Sequence, residues 1–304
     1  MTKKVLVLMG GFSAERDVSL VTGKCVAEAL SKRDYEVVTH DLTDGFEFVE
    51  VLKKEKPDVV FNALHGNFGE DGEIQGFLDV LQIPYTHSGL KASAIGMDKH
   101  LTKEIAKKYG IKVPEGEKIT FAKFKKQGTH LSFPYVVKPV SDGSSVGVFI
   151  VKNKDDLSKV NYDNEDREIL IEEYIEGKEL TCMVLGTKAH VVTELKPNVE
   201  FYDYNAKYTD GITSHILPAE IPENIVDVCK QYSQILHFLI GCNGVSRCDL
   251  RYNERQGVVL LEINTNPGMT NLSLVPEQAK YIGISYDKLC SYLVENAHCR
   301  GFDE

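Results

Sequence analysis

Leu260-Leu261-Glu262-Ile263-Asn264-Thr265-Asn266-Pro267-Gly268, taken with Arg247-Cys248-Asp249 upstream, decides how this chain reads. Residues 258–264 are apolar and begin to alternate at their end, and residues 245–250 alternate as well, so both segments are predicted to be strands. Side chains two apart on a strand share a face. Glu262 and Asn264 therefore project together, as do Arg247 and Asp249. Between them Asn253-Glu254-Arg255-Gln256-Gly257 is a short polar loop ending in glycine, which suits a hairpin. Pairing Asn253 with Val258 sets Asp249 opposite Glu262 and Arg247 opposite Asn264. Two carboxylates, an amide and a guanidinium then share one patch. Its hard oxygens suit Mg²⁺, which takes a few carboxylates and completes its shell with substrate phosphates. A solvated strand face would show the same alternation. The apolar flanks argue against that, because they predict burial, and a buried carboxylate without a cation is costly.

Composition narrows the classes. The chain has 304 residues, enough for two or three packed domains. Its 45 acidic against 35 basic residues give a net charge of −10, which disfavours a nucleic-acid partner. No run approaches the roughly 18 apolar residues that cross a bilayer, so no membrane partner is expected. Lys3-Lys4 followed by Val5-Leu6-Val7-Leu8-Met9 imitates a secretory signal, but the apolar run stops too soon at Gly10-Gly11. Seven scattered cysteines, an odd number, read as free thiols of a reducing cytosol.

Residues 4–98 alternate strand and helix: a buried apolar strand at 5–9, a helical pattern capped by Ser13, a strand at 35–40, a helix near 46–54 and a strand at 58–63. That alternation predicts a doubly wound parallel sheet, with ligands at the strand ends. Those ends are Gly10-Gly11-Phe12-Ser13-Ala14-Glu15 and Leu64-His65-Gly66. His65 reads either as a satisfied loop histidine or as a ligand contact, and its place at a strand end favours contact. Gly10-Gly11 lacks the Gly-x-Gly-x-x-Gly spacing of a dinucleotide site, and no Walker loop occurs. After a boundary at Ser88-Gly89 a helix carrying Lys99 is expected to run to Tyr109. A short strand at 134–139 ends near Lys138. Ser141-Asp142-Gly143-Ser144-Ser145-Val146-Gly147-Val148 is a Gly/Ser loop leading into a strand at 146–151, able to cover phosphates with its N–H groups. Residues 168–175 read as a strand entering a connector and 179–185 as the strand opening the next domain. Residues 201–212 are aromatic, charged and aperiodic, which predicts a mobile loop over a site. The amphipathic helix at 223–239 reads as core.

Lysines for phosphate, a Gly/Ser flap, paired carboxylates and a neighbouring arginine are the parts of phosphoryl transfer. The order Lys138, Gly143-Ser144-Ser145-Val146-Gly147, Glu172-Glu173-Tyr174-Ile175-x-Gly-x-Glu179, Arg247-x-Asp249, Glu262-Ile263-Asn264-Thr265-x-Pro267-Gly268 resembles the ATP-grasp superfamily. Gly10-Gly11-x-Ser13-Ala14-Glu15-Arg16, Leu64-His65-Gly66, Met97-Asp98-Lys99 and Phe201-Tyr202-Asp203-Tyr204-x-Ala206-Lys207-Tyr208 narrow the resemblance to the D-alanine–D-alanine ligases, over nearly the whole chain.

The resemblance implies a three-domain ATP-grasp fold: residues 1–96 as an N-terminal doubly wound α/β domain, then 97–178 and 179–304 as two α+β domains clasping ATP. It implies ligation of two D-alanines through a D-alanyl phosphate, for peptidoglycan, by a cytoplasmic homodimer. By resemblance Lys99, Lys138 and Ser145 would meet the ATP phosphates, with Lys207 at the γ-phosphate. Glu172, Glu173, Tyr174 and Ile175 would hold adenine, and Glu179 the ribose. Asp249, Glu262 and Asn264 would ligate two Mg²⁺ ions, or Mn²⁺ in their place, with Glu262 bridging. Glu15, hydrogen-bonded to Ser144 and Tyr208 and near His65, would take the first ammonium. Arg247 and the Gly268 N–H would hold the oxyanion, and Ser273 the second carboxylate. Val140 and Glu173 depart from the family pattern at positions served by backbone.

The chemistry is self-consistent. A carboxylate is a poor electrophile, phosphorylation activates it, a tetrahedral oxyanion then needs donors, and water must be kept away. Three rivals stay open. One is a depsipeptide ligase taking D-lactate, against which Tyr208 counts. Another is an inactive nucleotide-binding protein, opposed by the intact Lys138, Arg247, Asp249, Glu262 and Asn264. The last is a ligase with other substrates, disfavoured by Glu15 and His65.

Overall fold

The computed structural model describes residues 2–143, 146–197 and 213–301. The expected loop 201–212, with Lys207 and Tyr208, lies outside the described residues, as do Ser144 and Ser145.

The N-terminal part builds β1 (Lys3–Gly10), α1 (Arg16–Leu30), β2 (Tyr35–Leu42), α2 (Gly45–Glu55) and β3 (Val59–Asn62). The three strands are parallel in the order β2-β1-β3. Val5, Leu6, Val7 and Leu8 of the central strand are wholly buried, which is why their run is continuous rather than alternating. Ser13 does not cap α1. Glu15 holds the N-cap position without a side-chain cap bond. The Ser13 hydroxyl instead donates to the His65 carbonyl at 2.6 Å and accepts from the Glu15 N–H at 3.1 Å, tying the two strand-end loops together.

After α3 (Glu73–Leu81) the single helix expected up to Tyr109 is two: α4 (Leu90–Met97) and α5 (Lys99–Lys108). Asp98 between them is extended, and its carboxylate accepts from the Leu101 N–H at 2.8 Å, an N-cap that restarts the helix. Lys99 thereby falls in a first turn. The central part follows as β4 (Gly116–Thr120), α6 (Phe121–Gln127), β5 (Tyr135–Pro139), β6 (Phe149–Val151) and β7 (Glu168–Glu173). These strands form an antiparallel sheet in the order β4-β7-β5-β6. β6 starts three residues later than the sequence suggests, because Val146 and Gly147 turn, with Gly147 at φ +69°.

The C-terminal part carries β8 (Lys178–Leu185), β9 (Lys188–Pro197), β10 (Thr213–Ile216), α7 (Glu223–Ile240), β11 (Val245–Asn253), β12 (Gly257–Asn264), α8 (Leu274–Tyr281) and α9 (Tyr286–Glu295). Its sheet runs β10-β9-β8-β11-β12. As its spacing predicts, α7 buries Cys229, Leu236 and Ile240 against this sheet.

The β11–β12 hairpin differs from the expected register at the turn and agrees at the site. Asn253 pairs with Gly257, not Val258, and Leu250 with Leu260; a bulge then restores Asp249 opposite Glu262 and Arg247 opposite Asn264. Leu261 is the extra residue. A bulge turns two consecutive side chains toward one side of a sheet, and Leu261 and Glu262 both line the same cleft.

Packing crosses the chain's thirds. One core joins Val5, Val7 and Phe61 to Met183, Val245, Val275 and Leu293. The central sheet has a core of its own around Phe121, Tyr135, Val137 and Ile171. All seven cysteines are free thiols, and no helix among the described residues is long and apolar enough to cross a membrane.

Candidate active site

Two adjoining clefts contain nearly every described residue singled out from sequence. The first is lined by Glu15, His65, Lys99, Arg247, Asp249, Glu262, Asn264, Gly268 and Ser273. The second is lined by Lys99, Lys138, Glu172, Glu173, Tyr174, Ile175, Glu179, Asp249 and Glu262, with Val136, Ile150 and Leu261 as apolar walls. They share Lys99, Asp142, Gly143, Asp249 and Glu262. A ligand lying across both would present its middle to two lysine-flanked carboxylates.

In the second cleft β5 and β7 pair, so Lys138 and Glu172 come from neighbouring strands. Lys138 Nζ lies 2.8 Å from Glu172 Oε2, and the other carboxylate oxygen is bonded by Lys103 from α5. All three side chains are buried. Burial opposes every charge here. For Lys103, with Lys138 also nearby, burial prevails and the pKa falls to about 7. For Glu172 the two lysines outweigh burial and hold the carboxyl below its ordinary value. For Lys138 the attraction of Glu172 and then Glu262 outweighs burial and keeps it above the ordinary ammonium value. Glu179 pairs with Arg251 Nη2 at 2.8 Å, and the Arg251 guanidinium lies 6.0 Å from the Tyr174 ring centre. Glu173 points outward: its side chain accepts from the Glu115 N–H and from Gln256, so at this position only backbone faces the cleft for a base.

In the first cleft the guanidinium of Arg247 grips Asp249 with two bonds, 2.9 and 2.8 Å, and Thr181 adds a third at 2.9 Å. Lys99 Nζ donates to the Asp142 carbonyl at 2.5 Å and lies 3.6 Å from Glu262. Asn264 accepts from the Asn266 N–H at 3.0 Å. Among the described residues no group of three or more His, Cys, Asp or Glu side chains forms a ready-made metal cage. The oxygens of Asp249, Glu262 and Asn264 form a partial set that suits Mg²⁺ only with ligand phosphates completing it. His65 is buried, with Thr22 Oγ1 2.9 Å from one ring nitrogen and Glu70 3.0 Å from the other. A Cβ on Gly143 would stand 2.5 Å from a Glu15 carboxylate oxygen, so the flap backbone lies against that carboxylate. Ser273, at the N-cap of α8, holds its hydroxyl 3.0 Å from where a Gly268 Cβ would be and accepts from the Thr270 N–H at 3.0 Å.

Comparison with known proteins gives this arrangement a family. The descriptions "D-ala D-ala ligase N-terminus" and "D-ala D-ala ligase C-terminus" match residues 47–88 and 105–295. The chain belongs to the D-alanine–D-alanine ligase family. A D-alanine–D-alanine ligase of Zymomonas mobilis is 49% identical, the match covering 97% of this chain and 94% of that one. The D-alanine–D-alanine ligase of Bacillus anthracis in complex with ATP superposes with a TM-score of 0.83 at 36% identity, covering 97% of both chains. The VanG D-Ala:D-Ser ligase of Enterococcus faecalis superposes with a TM-score of 0.79 at 28% identity, covering 97% of this chain and 99% of that one. The fold is accordingly that of the ATP-grasp ligases.

For a ligase of this family, sequence reasoning overlooked three charged residues of the site: Lys103, Glu70 and Arg251. Two carried a usable signal. Lys103 lies four residues after Lys99, hence on the same face of a helix. Arg251 continues the every-second-residue line of Arg247 and Asp249 on β11, which marks the side of the sheet the clefts occupy.

Proposed function

We propose that this ligase joins two D-alanine molecules to D-alanyl-D-alanine, converting ATP to ADP and phosphate. The observation that carries the reading is the junction of the two clefts at Lys99, Asp249 and Glu262, where a nucleotide's terminal phosphate and an amino-acid carboxylate would meet. Adenine would lie between Val136, Ile150 and Leu261, read by Glu172 and the backbone of 173–175. Lys138 and Lys99 would take the phosphates. Asp249, Glu262 and Asn264 would hold Mg²⁺, or Mn²⁺, which when bound neutralises phosphate charge. A division of the chain near residues 96 and 178 accords with this clasp.

Glu15 and His65 orient the first D-alanine so that its carboxylate oxygen attacks the γ-phosphorus. The bond to the β-phosphate oxygen breaks, ADP leaves, and a D-alanyl phosphate forms. The second D-alanine, its carboxylate at Ser273 and the α8 N-terminus, loses an ammonium proton to solvent and attacks the acyl carbon. Negative charge on that carbonyl oxygen is met by Arg247 and the Gly268 N–H; such a donor is typically worth about 3–4 kcal/mol. Collapse breaks the bond from the acyl carbon to the phosphate oxygen, the attacking nitrogen gives its extra proton to the departing phosphate, and the peptide bond remains. Arg247 grips Asp249 with two bonds, and because a guanidinium carries five N–H donors it can meet the oxyanion while that grip holds it in place. Tyr208, by sequence pattern alone, would favour an amine acceptor over D-lactate. The dipeptide would serve peptidoglycan, made in the cytoplasm by a homodimer.

ADP release measured separately with D-alanine, L-alanine, D-serine and D-lactate tests the reading. D-alanine alone should support rapid turnover, with dipeptide formed over depsipeptide from pH 6 to 9. Comparable D-alanyl-D-lactate formation at pH 7 and equal acceptor concentrations would overturn it. Tyr208→Phe should raise the KM for the second D-alanine more than that for ATP.

A further inference from the structure

We propose that Lys103 is a positioning residue that leaves Lys138 a usable positive charge for the nucleotide phosphates, by taking half of Glu172. The inference rests on the nucleotide role assigned above to the second cleft. Lys103 and Lys99 lie four residues apart on the buried face of α5. Lys99 reaches the junction of the clefts, whereas Lys103 ends one turn deeper, against one oxygen of Glu172, the other oxygen of which faces Lys138 at 2.8 Å. Lys103 and Glu172 are each 3% exposed and Lys138 8%, so water screens none of these charges well.

When Lys103 carries its proton, as its pKa of about 7 allows below neutral pH, two ammonium groups on one buried carboxylate leave a net charge of +1. Lys103 faces away from the junction, so the surplus is expressed at Lys138, whose ammonium also feels Glu262 across the cleft. Without Lys103, Glu172 and Lys138 become a closed neutral pair. The buried carboxylate would then hold Lys138 with its full charge, and the phosphates would meet a neutral group. The geometry thus separates two tasks in one glutamate: fixed by lysines on both oxygens, it can neither rotate nor monopolise the lysine the phosphates need. A role confined to folding or to shaping the base pocket would weaken ADP and the phosphate-free adenosine alike. The charge role weakens the one whose phosphates reach Lys138.

Calorimetric titration of the whole chain at pH 6 with ADP and with adenosine, which has no phosphate, reads this without turnover. In Lys103→Met, ADP affinity should fall about tenfold or more, adenosine affinity much less, so the ADP/adenosine ratio drops. Lys103→Arg should retain the ratio. In Lys103→Met/Glu172→Gln the buried anion is gone, Lys138 regains its charge, and the ratio should return to within about threefold of wild type. An unchanged ratio in Lys103→Met, or a ratio as low in the double variant as in the single, overturns the proposal. Should Lys103→Met not fold, the double variant decides alone by the same limits. Failure of the wild type to bind ADP at all would count against the nucleotide assignment itself rather than against Lys103.

Discussion

The two clefts handle charge in opposite ways. On the nucleotide side Lys103, Glu172 and Lys138 are buried and hold one another in place. In the first cleft, proposed to hold the reacting groups, Arg247 is paired with Asp249, and Lys99 with the Asp142 carbonyl and Glu262. The first arrangement is preorganised, with desolvation already accepted at folding. The second is partly open, its paired side chains between 11% and 31% exposed, so arriving ligands can reach them. Charge built into the interior should therefore matter to stability as well as binding, whereas the reacting side should matter to rate and little to folding.

The sharpest way to break that contrast is Lys138→Met. Glu172 keeps Lys103, but its other buried, charged oxygen loses its partner, which should destabilise the fold by about 3 kcal/mol and raise the KM for ATP; equilibrium urea unfolding would measure the first. A stability unchanged from wild type would place this trio in the same class as the reacting side. Glu262→Gln is the complementary change. It removes charge but little volume, so kcat should fall more than a hundredfold, about 2.7 kcal/mol of barrier, while the midpoint of urea unfolding stays put. Retention of a tenth of wild-type kcat would remove Glu262 from the centre of the chemistry.

Acid should act from behind the reacting side. His87 is wholly enclosed beside Phe61, and burial, helped by the field of His65, lowers its pKa to about 3; burial likewise lowers His237 to about 4. Each binds its proton more readily unfolded, near pH 6.5. Stability from these groups is therefore complete above pH 6.5 and lost as pH falls toward the folded values, by up to about 1.4 kcal/mol per pH unit for each. His87→Asn, which tolerates the left-handed backbone there (φ +70°), should flatten the slope of unfolding free energy between pH 6.5 and 4. An unaltered slope would mean His87 is already protonated when folded. The smallest expected effect is Gly143→Ala: the new methyl displaces the Glu15 carboxylate, raising the KM for the first D-alanine about tenfold and that for ATP less.

Much of this was legible in the chain because local patterns specify it. The continuous apolar run of β1, the alternation of β11 and β12 and the period of α7 are properties of neighbouring residues, and each became the element they imply. The site pairs Asp249/Glu262 and Arg247/Asn264 also followed from alternation. The path between turn and site did not, because a bulge is set by how Leu261 packs rather than by any pattern around it. The break at Asp98 was readable in principle, since aspartate is a strong N-cap. The spacing of Lys103 from Lys99 put it on the same helix face, but its pairing with Glu172 was not readable, because the two lie 69 positions apart in the chain.

The shared core has a consequence for how the molecule breathes. Val5, Val7 and Phe61 pack with Val245, Val275 and Leu293, so the first and last thirds can exchange amide hydrogens with solvent deeply only by coming apart together. The central sheet, with a separate core, can open as its own cooperative unit at lower free energy. The half of the proposed nucleotide clasp that β5 and β7 provide would then loosen and re-form while Asp249 and Glu262 on β11 and β12 stay protected.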